Sequence, residues 1–128
     1  MLDLSKYGRK PEVITVGVIT FAAQPKEIKT QNGAFTVQEF AMESFYGTVE
    51  KPYVETIVFQ ATSKPSRWFN KETQKYEDRP SYVEQFKENP LSVGDVVSVS
   101  ISASGYVGTK EGNTYTIPKM TLEKLWRL

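Results

Sequence analysis

The chain contains no cysteine and no histidine. The first absence excludes disulfides, thiolate metal sites and thiol nucleophiles. The second leaves a zinc site with carboxylate ligands alone, an unusual set, and removes the commonest general base. No metal or cofactor is expected, and no enzyme. Apolar runs stay far short of the ~20 residues of a membrane-spanning helix. The opening Met1-Leu2-Asp3-Leu4-Ser5-Lys6 is too polar for a secretory signal. The expectation is a cytoplasmic protein with no membrane partner. Charge of one sign is scarce too: 16 Lys and Arg against 15 Asp and Glu leave a net +1. A polyanion binder of this composition must place its cations locally and share the load with aromatic stacking. Glu27, Glu43, Glu55, Glu77 and Asp78 show no grouping suited to acid–base work. Gly105-Tyr106-Val107-Gly108 lacks the Gly-Lys ending and following helix of a phosphate loop.

What is present is strand. The 128 residues suit one domain burying roughly two-thirds of its unfolded surface, with residues 1–11 as a flexible arm. Val13 to Phe21 is β-branched around Gly17, read as a bulge or sharp bend. Gln24-Pro25 ends it, and Asn32-Gly33 signals a hairpin. Ala34 to Tyr46 makes a second long strand. Its pairs Phe35/Val37 and Phe40/Met42 fall on opposite parities, so a bulge near Gln38 would bring both to the core. Tyr53 to Ala61 is the third strand, and Ser63 to Pro80 a long polar stretch. Ser81 with Glu84 forms a capping box for a short helix facing inward through Tyr82, Val83 and Phe86. It stops at Asn89-Pro90. From Val93-Gly94-Asp95 the fourth strand alternates Val97, Val99, Ile101 and Ala103 with Ser98, Ser100, Ser102 and Ser104. Glu111-Gly112-Asn113 turns into a fifth strand, Thr114 to about Leu125, in which Pro118 argues for an edge or bulge. The fold class is all-β: a five-stranded OB barrel with one short helix between strands three and four.

In this order the sequence resembles the bacterial and phage single-stranded-DNA-binding proteins. The likeness lies in the Gly-bearing first strand, Gln24-Pro25-Lys26-Glu27-Ile28-Lys29 followed by Asn32-Gly33-Ala34, and Val93-Gly94-Asp95-Val96-Val97-Ser98-Val99 after the helix. It runs from about Val13 to Leu122. Arg67-Trp68-Phe69-Asn70-Lys71-Glu72-Thr73-Gln74-Lys75-Tyr76-Glu77-Asp78 is similar to a finger that joins strands two and three in the family. Here it follows strand three. The resemblance implies sequence-independent binding of single-stranded DNA, protecting it in replication or recombination, by a homodimer or higher homo-oligomer in a bacterial cell or a phage-infected host. The family's acidic recruiting tail has no counterpart in Leu125-Trp126-Arg127-Leu128.

The family stacks bases on aromatics of its third strand. In one register Tyr53 and Phe59 take those places while Val54, Thr56 and Val58 face the core. In the other, Val54 and Gln60 would, and the match fails. The first is adopted. Further candidates are Trp68, Phe69 and Tyr76 beside Lys64, Arg67, Lys71 and Lys75, with capping of the barrel end as the structural alternative. Tyr46 or Phe45 must point outward at the end of strand two. Tyr106 and Tyr115 flank the last hairpin, as platforms or as a packing pair. Lys26, Lys29, Lys110 and Lys119 could track phosphates. The competing function is an OB domain devoted to protein–protein contact, an accessory subunit of a replication or phage assembly. Near-neutral charge supports it; Lys and Arg scattered evenly around the barrel would add to that support, and Lys and Arg lining the strand two–three face would remove it.

Overall fold

The structure, a computed structural model, describes residues 3–6 and 8–128, without the side chains of Leu4, Ser66 and Trp68. A 3-10 turn at Leu4–Lys6 precedes β1 (Glu12–Ala22), β2 (Lys26–Thr30), β3 (Gly33–Gly47), β4 (Pro52–Thr62), β5 (Ser66–Asn70), β6 (Lys75–Arg79), α1 (Tyr82–Glu88), β7 (Val96–Lys110) and β8 (Asn113–Arg127). Of the arm expected over residues 1–11, positions 1, 2 and 7 lie outside the described residues. Its end is tied down, because the Pro11 carbonyl accepts from the Ala103 amide at 3.1 Å.

Alternation in β7 turns Val97, Val99 and Ile101 wholly into the core, as a period of two requires. Its flanks β1 and β8 pair antiparallel with it. The order β1-β7-β8-β4-β3-β2 is closed into a ring by a further β1–β3 pairing. On the far side the ring is sealed by one parallel pair, Gln60 with Thr121. This is the five-stranded, partly open barrel of an OB fold, with β1, β3, β4, β7 and β8 as its staves. Two additions were not expected as strands. Lys26–Thr30 pairs with the start of β3, through the two-residue turn that Asn32-Gly33 signalled. The polar stretch after β4 folds into a hairpin finger, β5–β6, a sheet of its own.

The parity change in β3 is real, but no bulge at Gln38 causes it. Val37, Phe40 and Met42 are all buried, while the β3–β4 ladder runs unbroken from Val37–Thr62 to Gly47–Pro52. Instead β3 changes partners, from β2 up to Val37 to β1 from Phe40. The Gln38 side chain donates to Ala23 O at 2.9 Å across that bend. The one-residue slip lies in β1, between Ile19 and Phe21. Gly17 is a point of close approach rather than a bulge, since a Cβ there would sit 2.3 Å from the Glu43 carbonyl oxygen.

Helix α1 plugs one end of the barrel. Ser81 Oγ accepts from the Glu84 amide at 3.2 Å. The Glu84 carboxylate turns to Lys87 at 3.0 Å rather than back toward the cap. Phe86 meets Phe40 edge-on at 5.4 Å, and Phe40 stacks on Phe59 at 5.5 Å. Pro118 lies opposite Gly105 in a stretch of β8 paired only to β7, so it occupies the edge position that a missing N–H demands. Among the described residues no helix is long and apolar enough to cross a membrane.

Candidate nucleic-acid interface

The β3–β4 ladder fixes which side chains face out. Phe40–Phe59, Met42–Ile57, Ser44–Glu55 and Tyr46–Tyr53 share the face that becomes the core; Glu39–Gln60, Ala41–Val58, Glu43–Thr56 and Phe45–Val54 share the other. Phe59 is 3% exposed and Val58 62% exposed, so the adopted register of strand three is reversed. Phe59 is a core residue stacked on Phe40, and Val54, Thr56 and Val58 face outward. The outward side is a shallow groove of about 380 Å³ whose walls include Phe21, Glu39, Ala41, Val58, Pro118 and Lys119. Phe21 is half exposed beside Ala41, its partner across β1 and β3.

Beyond the barrel the strands continue as projections. The distal β3–β4 ribbon carries exposed aromatics on both faces, since neither face there has a core to cover. Tyr46 stacks on Tyr53 at 5.4 Å and 22° on one face, and Phe45 stands on the other. The Tyr46 hydroxyl donates to Glu55 Oε1 at 3.1 Å, and that bond raises the phenol above its ordinary pKa. Tyr53 also lies over Gly47, whose φ is +94° and where a Cβ would meet the ring at 2.8 Å.

The second projection is the distal β7–β8 arm. Tyr106 pairs with Ile117 and Tyr115 with Gly108, which puts both tyrosines on one face as diagonal neighbours. The Tyr115 ring lies over Gly108, where an added Cβ would meet it at 2.5 Å. It is thereby a packing residue that still leaves much of one ring face open. Lys110 flanks the turn Glu111-Gly112, both with positive φ. Lys119, at the arm's base, stands 6.0 Å over the Phe35 ring.

The finger is the third. Its pairs are Ser66–Arg79, Arg67–Asp78, Trp68–Glu77, Phe69–Tyr76 and Asn70–Lys75. Phe69 and Tyr76 lie 5.2 Å apart, with the Arg67 guanidinium 5.7 Å over Tyr76. Arg67 also faces Asp78 at 3.7 Å. Trp68 is placed by its register opposite Glu77; its side chain lies outside the described residues. Lys71 sits in the turn and Lys64 just before β5.

The expected residues thus form three clusters, Tyr46–Tyr53, Tyr106–Tyr115 and Arg67–Phe69–Tyr76, rather than one face. The groove residues Phe21 and Val58 were missed; a second apolar parity in β4 was the available sign of Val58. The outward face carries Glu39 and Glu43, with Lys119 at the groove wall; other Lys and Arg are spread over the finger, the β7–β8 arm, β2, α1, the end of β8 and the residues before β1. Among the described residues no three Asp or Glu side chains converge where a metal ion could bind.

No family model and no curated protein matches the sequence. Among solved structures, the chain is similar to the mitochondrial single-stranded DNA-binding protein of S. cerevisiae. The identity is 15% and the TM-score 0.52, covering 94% of this chain and 97% of that one. It is likewise similar to the Plasmodium falciparum SSB in its complex with ssDNA, at 12% identity and TM-score 0.51, covering 94% and 96%. At such identities the likeness speaks for backbone architecture: the chain has the OB fold, in the form those single-stranded-DNA-binding proteins take.

Proposed function

We propose that this protein binds single-stranded DNA without sequence preference, shielding it during replication or recombination, and does so as a binder rather than a catalyst. The observation that carries the reading is the groove on the outward β3–β4 face, bordered by projections that pair exposed aromatics with cations. Stacking is worth roughly 1–3 kcal/mol per base and tolerates any base. Phe21 offers a ring on the groove wall and Phe45 one on the distal ribbon; Tyr106, Tyr115, Phe69 and Tyr76 offer them on the arms. Lys119 on the groove wall and Arg67 over the Tyr76 ring, with Lys110 and Lys71 at the arm and finger turns, are the cations for phosphates. The two solved proteins of the same fold, one in complex with ssDNA, add support.

A homodimer belongs to the proposal, closed two-fold contacts being the commonest assembly. Ile14 and Val16 are exposed on β1 and Trp126 on the neighbouring face of β8. Residues Glu12 to Gly17 of β1 pair with β7 on one side only. Light scattering of the purified chain reads the mass directly.

Glu39 on the groove wall and Glu43 further along the same face favour a second reading, in which this face holds another protein. Titration of intrinsic Trp and Tyr fluorescence with oligo-dT at low and moderate salt decides between the two. Quenching with an affinity that falls as salt rises supports DNA, with a slope near −0.7 per phosphate contact. No quenching and no binding at low salt overturns it in favour of protein contact.

A further inference from the structure

The chain has four arginines, Arg9, Arg67, Arg79 and Arg127, against twelve lysines, and three of the four line one cleft. This cleft, of about 450 Å³, lies between the finger, α1 and the end of β8, and its polar lining also includes Tyr82, Gln85, Asn89 and Glu123. It shares no lining residue with the β3–β4 groove. We propose that it is a second phosphate-binding subsite, entered by a single strand too long for the groove alone. The inference rests on the single-stranded-DNA reading.

Arg127 fixes the cleft floor. Its guanidinium donates to Asn89 O at 2.6 Å and Pro90 O at 3.2 Å, and meets Asp95 at 3.4 Å, which ties the helix end to β8 and holds a positive charge in place. Arg67 and Arg79 stand on the finger side and are exposed. The Arg67–Asp78 contact at 3.7 Å is a solvated pair that an incoming anion can replace at little cost. Glu123, the carboxylate in the lining, is held by Lys10 at 3.2 Å. Arginine's planar fork fits phosphate oxygens bidentately, which a lysine cannot do.

Phosphates need such a place, because the outward β3–β4 face presents Glu39 and Glu43. The two sites lie along one strand: Pro118 to Met120 border the groove and Leu125 to Arg127 the cleft. From Met120 to Leu125 is roughly 16 Å at the rise of a β-strand. The finger also offers Phe69 and Tyr76, with Arg67 over the Tyr76 ring. A nucleotide uses a ring beside a cation, whereas an acidic peptide has no need of the ring.

The test compares the native chain with the R79Q variant, the substituted side chain being exposed on the cleft wall, after thermal melts confirm that the variant is folded. Binding is measured against oligo-dT of about 6 nucleotides, within the 4–16 that an OB fold covers, and of about 30, well beyond it. The expected result is unchanged affinity for the short strand and about threefold loss on the long one at low salt. The long-strand salt slope should also become shallower by about 0.7, one contact's worth. Equal loss on both lengths, or none on either, overturns the subsite. So does a variant that keeps its DNA affinity but loses binding to polyglutamate, which would make the cleft a peptide site. If the native chain binds neither oligonucleotide, the underlying DNA reading has failed, a separate result.

Discussion

At Gly17 the backbone of β3 crosses β1 so closely that a methyl group would stand 2.3 Å from the Glu43 carbonyl oxygen and 2.6 Å from the Met42 terminal carbon. The methionine can swing away; the carbonyl belongs to a paired strand and cannot. Gly17→Ala should therefore cost about 1–3 kcal/mol, the range for overpacking, read as a lower urea midpoint. An unchanged midpoint would show that the crossing has slack. Gly108 is the contrast, since its neighbour is the outer end of the Tyr115 ring, which can tilt. Tyr82 carries a different consequence. Its ring is half buried on α1, and its oxygen accepts from the Leu125 amide at 3.0 Å. Burial lifts its phenol above the ordinary 10.0. A folded value above the unfolded one means that the folded chain holds the proton longer. The stability gained is complete below pH 10 and drains as pH rises through the raised value. Comparing urea midpoints at about pH 8 and about pH 11, the native chain should lose more than Tyr82→Phe. Equal losses would remove Tyr82 from the account.

Seven residues are too few for a helix to hold itself together in water, so α1 exists through its cap and its seat on the barrel. Phe86→Ala, which empties the place against Phe40, should cost about 3–5 kcal/mol. Ser81→Ala should cost about 1 kcal/mol, a cap's usual worth. Denaturant unfolding checks both, and a Phe86→Ala loss below that of Ser81→Ala would mean that the helix is not a plug. This helix was legible in the sequence because cap, apolar face and Asn-Pro stop agree. So was β7, whose serines leave one reading of its faces. Strand β4 was legible in its bounds but not in its faces. Val54, Ile57, Val58 and Phe59 put apolar residues on both parities, because Val54 and Val58 face outward while Ile57 and Phe59 face the core. Hydrophobic pattern cannot rank two apolar faces, and the expected register came out inverted. The finger was legible from the family resemblance but not from the pattern: its turn is made with Gln74 at φ +60°, not with a glycine, in a stretch too polar to read as strand.

Across the whole molecule, net charge +1 conceals a division of labour. The groove face carries Glu39 and Glu43 among apolar side chains, while cations stand on the finger, the β7–β8 arm and β2. A strand bound here would lay its bases on Phe21, Ala41 and Val58 and turn its phosphates away from the two carboxylates, toward the arms. The acidic pair then acts as a brake on affinity through repulsion across solvent, a force that salt screens over about 10 Å at 0.1 M. Replacing both, as Glu39→Gln with Glu43→Gln, should strengthen oligo-dT binding about two- to tenfold at low salt, each exposed charge acting at the scale of a surface ion pair. The gain should shrink toward nothing as salt rises. The competing protein-contact reading expects no such dependence. There the two glutamates are recognition groups for a cationic partner, and their loss would leave DNA affinity where it was at every salt concentration. An affinity gain confined to low salt would therefore place the phosphates near this face, and a flat response would move the DNA off it altogether.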